Sequence, residues 1–276
     1  MIRANGFRPV EQHTGDLGEE SMVDQVNELA GKVAIVTGSS RNIGRATAEE
    51  LARAGAAVVI NAVQAKDLCE EVAEGIRAKG GKAIPVMADV RDPDAVQAMA
   101  DAAVKEFGGI DILVANAANR SNTPFENLSW EIWKQTIDIS IHGAFHLAKA
   151  VVPAMKARGG GCIIGVGGMS SLRGSPGRSH VMAGKMGLNA FIRGLALDLA
   201  KYNIRANQVV VGTFDTNLEN NPSSAAGNVK KVDSIPLGRL GLPQDMANLI
   251  RFIVGPGASY ITGQTIHSNG GAYLNL

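Results

Sequence analysis

The 276-residue sequence contains only two cysteines, few aromatic side chains and almost no net charge. Cys69 and Cys162 lie far apart in apolar or helical contexts, so they indicate neither a disulfide framework nor a metal-binding spacing. A formal net charge of +1 gives no electrostatic reason to expect nucleic acid or a membrane surface as a partner. We therefore expect a protein of a reducing compartment whose ligands are small molecules.

Long apolar runs are also absent from the sequence. No stretch approaches the roughly 18 residues needed to span a bilayer, and the N-terminus lacks the apolar core of a signal peptide. Residues 1–28 are polar and show no strand pattern, which predicts a flexible arm followed by one domain over residues 29–276. Together these absences predict a cytoplasmic location.

Strand-like and helix-like stretches alternate from Lys32 onward. KVAIVTG predicts a first strand, RATAEELARAGA a first helix that ends at Gly55, and QTIHSN a final strand. This alternation predicts an α/β fold with a single Rossmann-type doubly wound parallel sheet and helices on both faces. Residues 213–234, rich in Asn, Ser, Gly and Pro, follow a strand end and are predicted to form a lid over the substrate.

The segment TGSSRNIGR, residues 37–45, lies between the first strand and the first helix. Gly38 and Gly44 allow a sharp turn and a close approach of the backbone to a ligand, and the N-terminus of the following helix favours a pyrophosphate. An ordinary glycine turn is the alternative. The position of the segment at the start of a long βαβ series favours a dinucleotide-binding loop.

The end of the second strand bears on which dinucleotide is bound. NAD sites place an acidic residue there to accept the ribose hydroxyls, whereas this chain has Asn61, Ala62 and Val63. Arg41, and more weakly Lys66, can pair with a 2′-phosphate through charge-assisted hydrogen bonds. These residues favour NADP(H) over NAD(H), with a solvated loop cation as the alternative role of Arg41.

At this point the chain resembles the short-chain dehydrogenase/reductase family, in particular its 3-oxoacyl-(acyl-carrier-protein) reductase-like members, over residues 31–271. The resemblance is carried by GKVAIVTGSSRNIGRA, ADV at 88–90, NAA at 116–118, the helix around Lys185, IRAN at 204–207, and PLGRLGLPQDMAN with YITGQTIHSNGG. It implies a homo-oligomer, either a tetramer or a dimer. The cofactor residues that it implies are Gly38, Ser40, Arg41, Ile43, Gly44, Asp89, Val90, Asn116, Ala117, Lys185, Gly212 and Thr216.

Two cofactor positions and three catalytic positions depart from the family pattern. Asn42 replaces the middle glycine of the loop, and Val211 replaces the proline before Gly212; asparagine tolerates left-handed backbone angles better than most residues. Of the catalytic groups only Lys185 is retained. The family's tyrosine, serine and asparagine positions fall on Val181, on or near Gly168, and on Ser140.

The missing tyrosine decides how Lys185 is interpreted. In this family the tyrosine hydroxyl gives the proton to the carbonyl oxygen, while the lysine binds the nicotinamide ribose and lowers the tyrosine pKa by its charge. Because valine has no proton to give, Lys185 is evidence for cofactor binding first and for catalysis second.

Several residues are candidates to replace the tyrosine. His180 adjoins the vacant position, but neighbouring helix residues point about 100° apart. Ser170 and Ser171 follow the preceding strand, and Lys185 itself can act if burial lowers its pKa. The alternatives are a helix-start or substrate-contacting role for His180 and loop or capping roles for the serines. We rank His180 first, and the predicted catalytic residues are Lys185, His180, Ser170 and Ser140.

Other polar residues near these motifs admit two roles each. His142 and His146 stand four residues apart, yet no third metal ligand is evident, so no metal site is predicted. Arg173 and Arg178 can pair with a carboxylate or phosphate of the substrate, or be solvated surface cations. Asn119 and Arg120, just beyond the NAA strand end, have the same two alternatives.

Two functions fit the sequence. The first is an NADP(H)-dependent oxidoreductase acting on a carbonyl, an alcohol or an activated double bond with a non-standard proton donor. The second is a catalytically inactive NADP(H)-binding subunit or sensor that partners an active relative. We favour the enzyme, because other branches of the superfamily place their proton donor elsewhere and the pocket loops retain polar residues.

Overall fold

The computed structural model describes residues 27–215 and 232–274. Within these ranges seven parallel strands form one sheet in the order β3-β2-β1-β4-β5-β6-β7. This order confirms the predicted doubly wound parallel sheet. The strands are β1 (Val33–Val36), β2 (Ala57–Ala62), β3 (Lys82–Met87), β4 (Ile112–Ala115), β5 (Gly161–Gly168), β6 (Ile204–Val211) and β7 (Thr265–Ser268).

Helices cover both faces of the sheet. One face packs against α1, α2 and α8, and the other against α3, α5 and α7. A π-helical segment, Asp138–His142, joins α4 to α5 without a break in the chain direction. The helices are α1 (Asn42–Arg53), α2 (Lys66–Ala78), α3 (Pro93–Phe107), α4 (Trp130–Ile137), α5 (Gly143–Ala157), the short α6 (Ser170–Arg173), α7 (Ser179–Leu199) and α8 (Pro243–Val254).

The first strand, β1, is an uninterrupted run of apolar residues, and its position in the sheet explains why. All four residues of β1 are buried. Successive side chains point to opposite faces, so Ala34 and Val36 enter one core while Val33 and Ile35 enter the other. A central parallel strand is therefore apolar at every position, as in VAIV. The switch in strand order between β1 and β4 opens a crevice at their carboxyl ends, where ligands of such sheets bind.

Some predictions concern residues outside the described ranges. Most of the predicted arm, most of the predicted lid, and Thr216 belong to this group. Near the predicted boundary at residue 28, the Leu29 side chain is buried and its N–H donates to the Ala54 carbonyl at 2.8 Å. The division into an arm and a domain stays a prediction.

A buried carboxylate ties α1 to α8. Glu50 accepts hydrogen bonds from Arg53 Nη2 at 2.6 Å, from Arg251 Nη1 at 2.9 Å and from Gln244 Nε2 at 3.0 Å. Burial by itself raises the pKa of Glu50, but the bonds from the two arginines outweigh it and hold the pKa below its usual value. The folded state therefore binds the ionised form of this carboxylate.

We expect Glu50→Ala to lower the free energy of unfolding by about 2–3 kcal/mol, because it leaves a partly buried guanidinium without one of its partners. Urea denaturation at pH 7 measures this, with Glu49→Ala as the control, since Glu49 pairs with Arg45 at the surface. The stabilisation is present above the ordinary carboxylate pKa of 4.5 and is lost as pH falls through the lower folded-state value. Equal losses in the two variants would contradict this role.

Candidate cofactor and active site

The loop between β1 and α1 has the backbone of a phosphate cradle. Gly38 has φ 62°, and Asn42 has φ 52°, the left-handed angle that a glycine would otherwise supply. A Cβ atom on Gly44 would collide with the Gly38 carbonyl oxygen and lie 2.8 Å from Asn116 Nδ2. No acidic side chain stands in the first turn of α1, so its positive end is available to an anion.

Two asparagines hold this loop in place. Asn61 is buried, accepts from the Gly38 N–H at 3.3 Å and donates to the carbonyls of Val86 and Ala88, both at 3.1 Å. Asn116 donates to the carbonyls of Thr37 at 2.9 Å and Gly38 at 3.1 Å. Both side-chain amides are therefore engaged within the protein and position the loop.

The other predicted cofactor residues gather at the same carboxyl edge of the sheet. Arg41 is exposed and forms no ion pair with a described residue, which leaves its guanidinium available to a ligand. Asp89 is ion-paired with Arg91 at 2.5 Å, and Arg91 lowers the pKa of Asp89. The remaining described members are Ser40 and Ile43, buried in the loop; Val90, buried against Gly143; Ala117, whose N–H donates to Thr37 Oγ1; and Gly212, beside Asn269.

Lys185 lies on α7 beneath this edge. Its side chain is 6% exposed, and Nζ donates to the Val166 carbonyl at 2.6 Å. Burial, with a smaller contribution from the charge of Arg120, lowers the pKa of Lys185 to about 8. A lysine with this pKa is still mostly cationic at pH 7, so it can hold ribose hydroxyls. These features fit a nicotinamide dinucleotide.

The positions of the family's tyrosine and serine carry no hydroxyl here. Val181 is buried, one turn of α7 before Lys185. Ser170 Oγ lies 3.9 Å from the point where a Cβ on Gly168 would stand, so its hydroxyl is near the vacant serine position. Ser171 Oγ instead donates to the Gly168 carbonyl at 2.6 Å. Of the two serines, Ser170 is the better placed to act on a ligand.

Ser140 occupies the family's asparagine position within the π-helical segment. It is buried, and a Cβ on Gly184 would lie 2.9 Å from its Cβ and its Oγ. The glycine thus allows α7 to pack closely against this segment. Single-turn π segments are frequent at functional sites because they redirect the side chains of an otherwise regular helix.

His180 is the buried histidine at the start of α7. Its side chain is 0% exposed, Nε2 lies 3.0 Å from Ser121 Oγ, and Nδ1 is buried without a hydrogen-bond partner in the described chain. Burial lowers the pKa of His180 and the charge of Arg178 lowers it further, while an interaction with the Ser121 backbone raises it. The imidazole is therefore neutral at pH 7.

Sequence reasoning did not identify Ser121 as a functional residue. It stands three residues after the NAA motif, beside Asn119 and Arg120, but no local pattern marks a serine there. Its pairing with His180 bridges 59 positions of the chain and exists only because the loop after β4 packs on the start of α7. In the family the tyrosine would stand next to this pair.

His142 and His146 do not converge. His142 Nδ1 bonds to Asp138 Oδ1 at 2.9 Å, whereas His146 Nδ1 bonds to the Val90 carbonyl at 3.2 Å. Within residues 27–215 and 232–274, no three His, Cys, Asp or Glu side chains are grouped as metal ligands.

Two cavities lie at opposite edges of the sheet. A cavity of about 1050 Å³ is bordered by Lys32, Arg53 and Lys82 at the amino ends of the strands, away from the glycine loop. A smaller one of about 340 Å³ is bordered by Phe214, Ser268 and Asn269, next to Gly212. Of these two cavities, both bordered by described residues, the smaller lies at the edge where the cofactor residues meet, so cavity volume does not identify the site.

A family model described as enoyl-(acyl carrier protein) reductase matches residues 38–273. The chain belongs to the short-chain dehydrogenase/reductase family. It is 38% identical to the L-rhamnose 1-dehydrogenase (NAD(P)(+)) of Azotobacter vinelandii, over 90% of this chain and 99% of that protein. It is 35% identical to a 3-oxoacyl-[acyl-carrier-protein] reductase FabG of Staphylococcus epidermidis, over 88% and 99%.

Solved structures of the family agree with the fold. A short-chain dehydrogenase from Burkholderia cenocepacia J2315, in complex with NADP, superposes with a TM-score of 0.82 and 33% identity, covering 89% of this chain and 99% of that one. As a short-chain dehydrogenase/reductase, the protein is an oxidoreductase that acts on carbonyl or alcohol substrates with a nicotinamide cofactor. In the described ranges none of its helices has the length and apolar character required to cross a bilayer.

Proposed function

We propose that this short-chain dehydrogenase/reductase is an NADP(H)-dependent enzyme that exchanges the substrate proton through the Ser121–His180 pair. The observation that supports it is the 3.0 Å contact between Ser121 Oγ and His180 Nε2, beside the position where Val181 replaces the usual tyrosine. Because His180 is fully buried, it meets the substrate only through the partly exposed serine hydroxyl.

The proton moves in two linked transfers. In alcohol oxidation the substrate hydroxyl gives its proton to Ser121 Oγ as Ser121 gives its own to His180 Nε2, and carbonyl reduction is the reverse. A neutral imidazole is the form needed to accept a proton, and burial together with Arg178 maintains that form at pH 7. When bound, the nicotinamide accepts or supplies the hydride.

The remaining residues of the site bind and orient. The Lys185 ammonium holds the nicotinamide ribose, as its cationic form at pH 7 permits. Ser170 places a hydroxyl near the vacant serine position, where it can orient the reacting oxygen, whereas the buried Ser140 positions α7 through its close packing against Gly184. Neither serine has a base within hydrogen-bond distance among the described residues, so neither replaces the Ser121–His180 pair as the proton donor.

Cofactor choice is proposed to depend on Arg41. We expect Arg41→Gln to raise the Kd for NADPH about 10- to 100-fold, because charge-assisted hydrogen bonds to a 2′-phosphate contribute about 1.5–3 kcal/mol. The Kd for NADH should stay within about twofold. Calorimetric titration with both coenzymes measures the difference, and Lys66→Gln serves as the exposed control with a smaller expected effect. Equal weakening of both coenzymes would indicate a disturbed loop instead of a phosphate contact.

Turnover tests the proposed function directly. The names of the relatives suggest L-rhamnose and 3-oxoacyl thioesters as first substrates, followed by other alcohols and ketones, with NADPH absorbance as the signal. Wild-type turnover should fall in both Ser121→Ala and His180→Gln. The double variant should lose little more than either single one, because both residues serve one transfer. Independent, additive losses would argue against a shared path.

The buried Val181 favours a second candidate, an inactive NADP(H)-binding subunit or sensor that partners an active relative. It requires NADPH binding without hydride transfer to any substrate of the panel. The variant Val181→Tyr with Gly168→Ser should then gain activity, since it restores the two missing hydroxyls. Measurable wild-type turnover eliminates this candidate.

The proposed oligomeric state is the one that is typical of the family. Homotetramers are typical of the family, and we propose a homo-oligomer, with a hetero-oligomer only under the second candidate. Large apolar side chains on α5 and α7 are exposed in the single chain, with Phe145 49% exposed and Leu197 83% exposed. Burial of these side chains against another subunit would supply hydrophobic stabilisation.

A further inference from the structure

Two arginines lie close in sequence to the Ser121–His180 pair, in segments that are hydrogen-bonded to each other. Arg120 precedes Ser121 in the loop after β4, and Arg178 is the N-cap residue of α7, two positions before His180. The Thr123 N–H donates to the Gly177 carbonyl at 2.8 Å, next to the Ser121–His180 contact. Backbone hydrogen bonding thus brings the loop that carries Arg120 against the start of α7, where Arg178 lies.

Arg120 and Arg178 differ from several other arginines of the chain in having no acidic partner among the described residues. Arg45, Arg91 and Arg251 each pair with a carboxylate within 3.0 Å. Neither Arg120 nor Arg178 forms an ion pair with any acidic residue in the described ranges. Two unpaired guanidinium groups that lie near each other can bind one anion together through charge-assisted hydrogen bonds.

The charges of Arg120 and Arg178 change the pKa values of neighbouring basic groups. Burial lowers the pKa of Arg120 although part of its side chain is exposed, and Arg178 lowers it further. Arg120 in turn lowers the pKa of Lys185, and Arg178 lowers that of His180. All four groups are basic, and the first turn of α7 adds no acid to offset them.

The cofactor phosphates are proposed to bind elsewhere, so they are not the anion that Arg120 and Arg178 would bind. Gly38, Arg41 and the N-terminus of α1 form the cradle at the end of β1. Arg120 lies one position from Ser121 and Arg178 two positions from His180, where the proposed function places the reacting oxygen of the substrate. The N-terminus of α7, a 21-residue helix, presents its positive end at the same place. His180 Nδ1 lies at the same end of α7 and is buried without a hydrogen-bond partner among the described residues.

We propose that the substrate is an alcohol or carbonyl compound that carries a carboxylate or phosphate group, which Arg120 and Arg178 bind while Ser121 contacts the reacting oxygen. The inference rests on the proposed function, because it assigns the substrate class of the same site. It makes Arg120 and Arg178 specificity-determining residues. A neutral substrate of the same shape leaves both guanidinium groups without a partner and is bound more weakly.

The binding test uses the full chain saturated with NADP⁺, so that the cofactor phosphate sites are filled. Acetoacetate and inorganic phosphate are titrated calorimetrically into wild type, Arg120→Gln, Arg178→Gln and the control Arg193→Gln. Arg193 is an exposed arginine on α7, the same helix that Arg178 precedes. We expect about 10-fold weaker binding in the Arg120 and Arg178 variants and a change within twofold in the control. The tighter of the two anions identifies the carboxylate or the phosphate.

Several outcomes would overturn the inference. Wild type that binds neither anion at 50 mM sodium chloride contradicts it, as does binding that survives both Arg120→Gln and Arg178→Gln. Equal weakening in all three variants indicates general charge attraction only. Because Arg178 caps α7, Arg178→Lys is included: it should keep part of the affinity if charge is what matters, and thermal melting shows whether either variant is folded.

Turnover separates this inference from the proposed function. Acetoacetate is compared with its neutral ethyl ester as an NADPH-dependent substrate. Reduction of both at equal kcat/KM refutes the anion inference and leaves the proposed function intact. Anion binding that depends on Arg120 and Arg178, without hydride transfer to any carbonyl of the panel, supports the inference as a binding site and refutes the proposed function.

Discussion

Replacing His180 with glutamine is expected to lower kcat for alcohol oxidation by about 10²- to 10⁴-fold, the usual contribution of a general base. Glutamine retains a hydrogen bond to Ser121 Oγ but cannot accept the proton that the serine passes on. The Kd for NADPH should change less than twofold, since His180 contacts the loop after β4 and not the glycine loop. Stopped-flow measurement of NADPH formation with saturating substrate gives the rate.

The control for this change is His142→Gln. His142 is an exposed histidine whose Nδ1 contacts Asp138, away from Ser121. It tests whether loss of any histidine from this region lowers the rate. A His180→Gln enzyme with kcat within threefold of wild type would show that the proton travels by another path.

The same pair predicts the pH dependence of kcat/KM. Oxidation requires neutral His180, and its pKa is lowered from 6.5, so the rate should fall only as pH drops below that value. Lys185 must stay cationic to hold the ribose, so the rate should also fall as pH rises through about 8. His180→Gln should remove the acidic limb and keep the alkaline one. An acidic limb that persists in this variant belongs to another group.

Replacing Gly44 with alanine is expected to weaken NADPH binding at least about 100-fold, because a displaced glycine loop loses several phosphate contacts together. The added methyl would collide with the Gly38 carbonyl oxygen and lie 2.8 Å from Asn116 Nδ2. Both neighbours are fixed: Gly38 has a left-handed backbone angle and Asn116 is hydrogen-bonded to the same loop. Neither can retreat without opening the cradle. Calorimetric titration with NADPH measures the loss.

Gly75→Ala is the matched control for Gly44→Ala. Gly75 lies on the exposed side of α2, and a Cβ there would meet no atom within 4 Å. Alanine favours the helix by about 0.8–1.0 kcal/mol over glycine, so this variant should be slightly more stable and bind NADPH normally. Normal binding by Gly44→Ala would mean that the loop does not hold the cofactor as proposed.

Much of the fold was predictable because its signals are local. VAIV, with every position apolar, indicates a strand buried on both faces, and the glycine spacing of residues 38–44 indicates a tight turn before a helix. Lys185 was recognised for the same reason, since its helix resembles the family's lysine helix. The left-handed angle at Asn42 agrees with the known tolerance of asparagine for that region.

The proposed proton-transfer residues were less predictable because their contact depends on distant parts of the chain. The sequence ranked His180 first among the candidates for the missing donor, but it gave no indication of Ser121, which reaches His180 across 59 positions. The amide of Asn116 turned out to brace the glycine loop, a role that follows from the approach of β4 to β1. Such contacts are set by tertiary packing and leave no mark in a local pattern.

The complete burial of His180 has a consequence for the order of events in a catalytic cycle. In the proposed mechanism, a proton held on this buried imidazole leaves only through the neighbouring Ser121 hydroxyl. If the product covers that hydroxyl, the proton reaches solvent only after the product has left. Recovery of neutral His180 and release of the product would then be a single event.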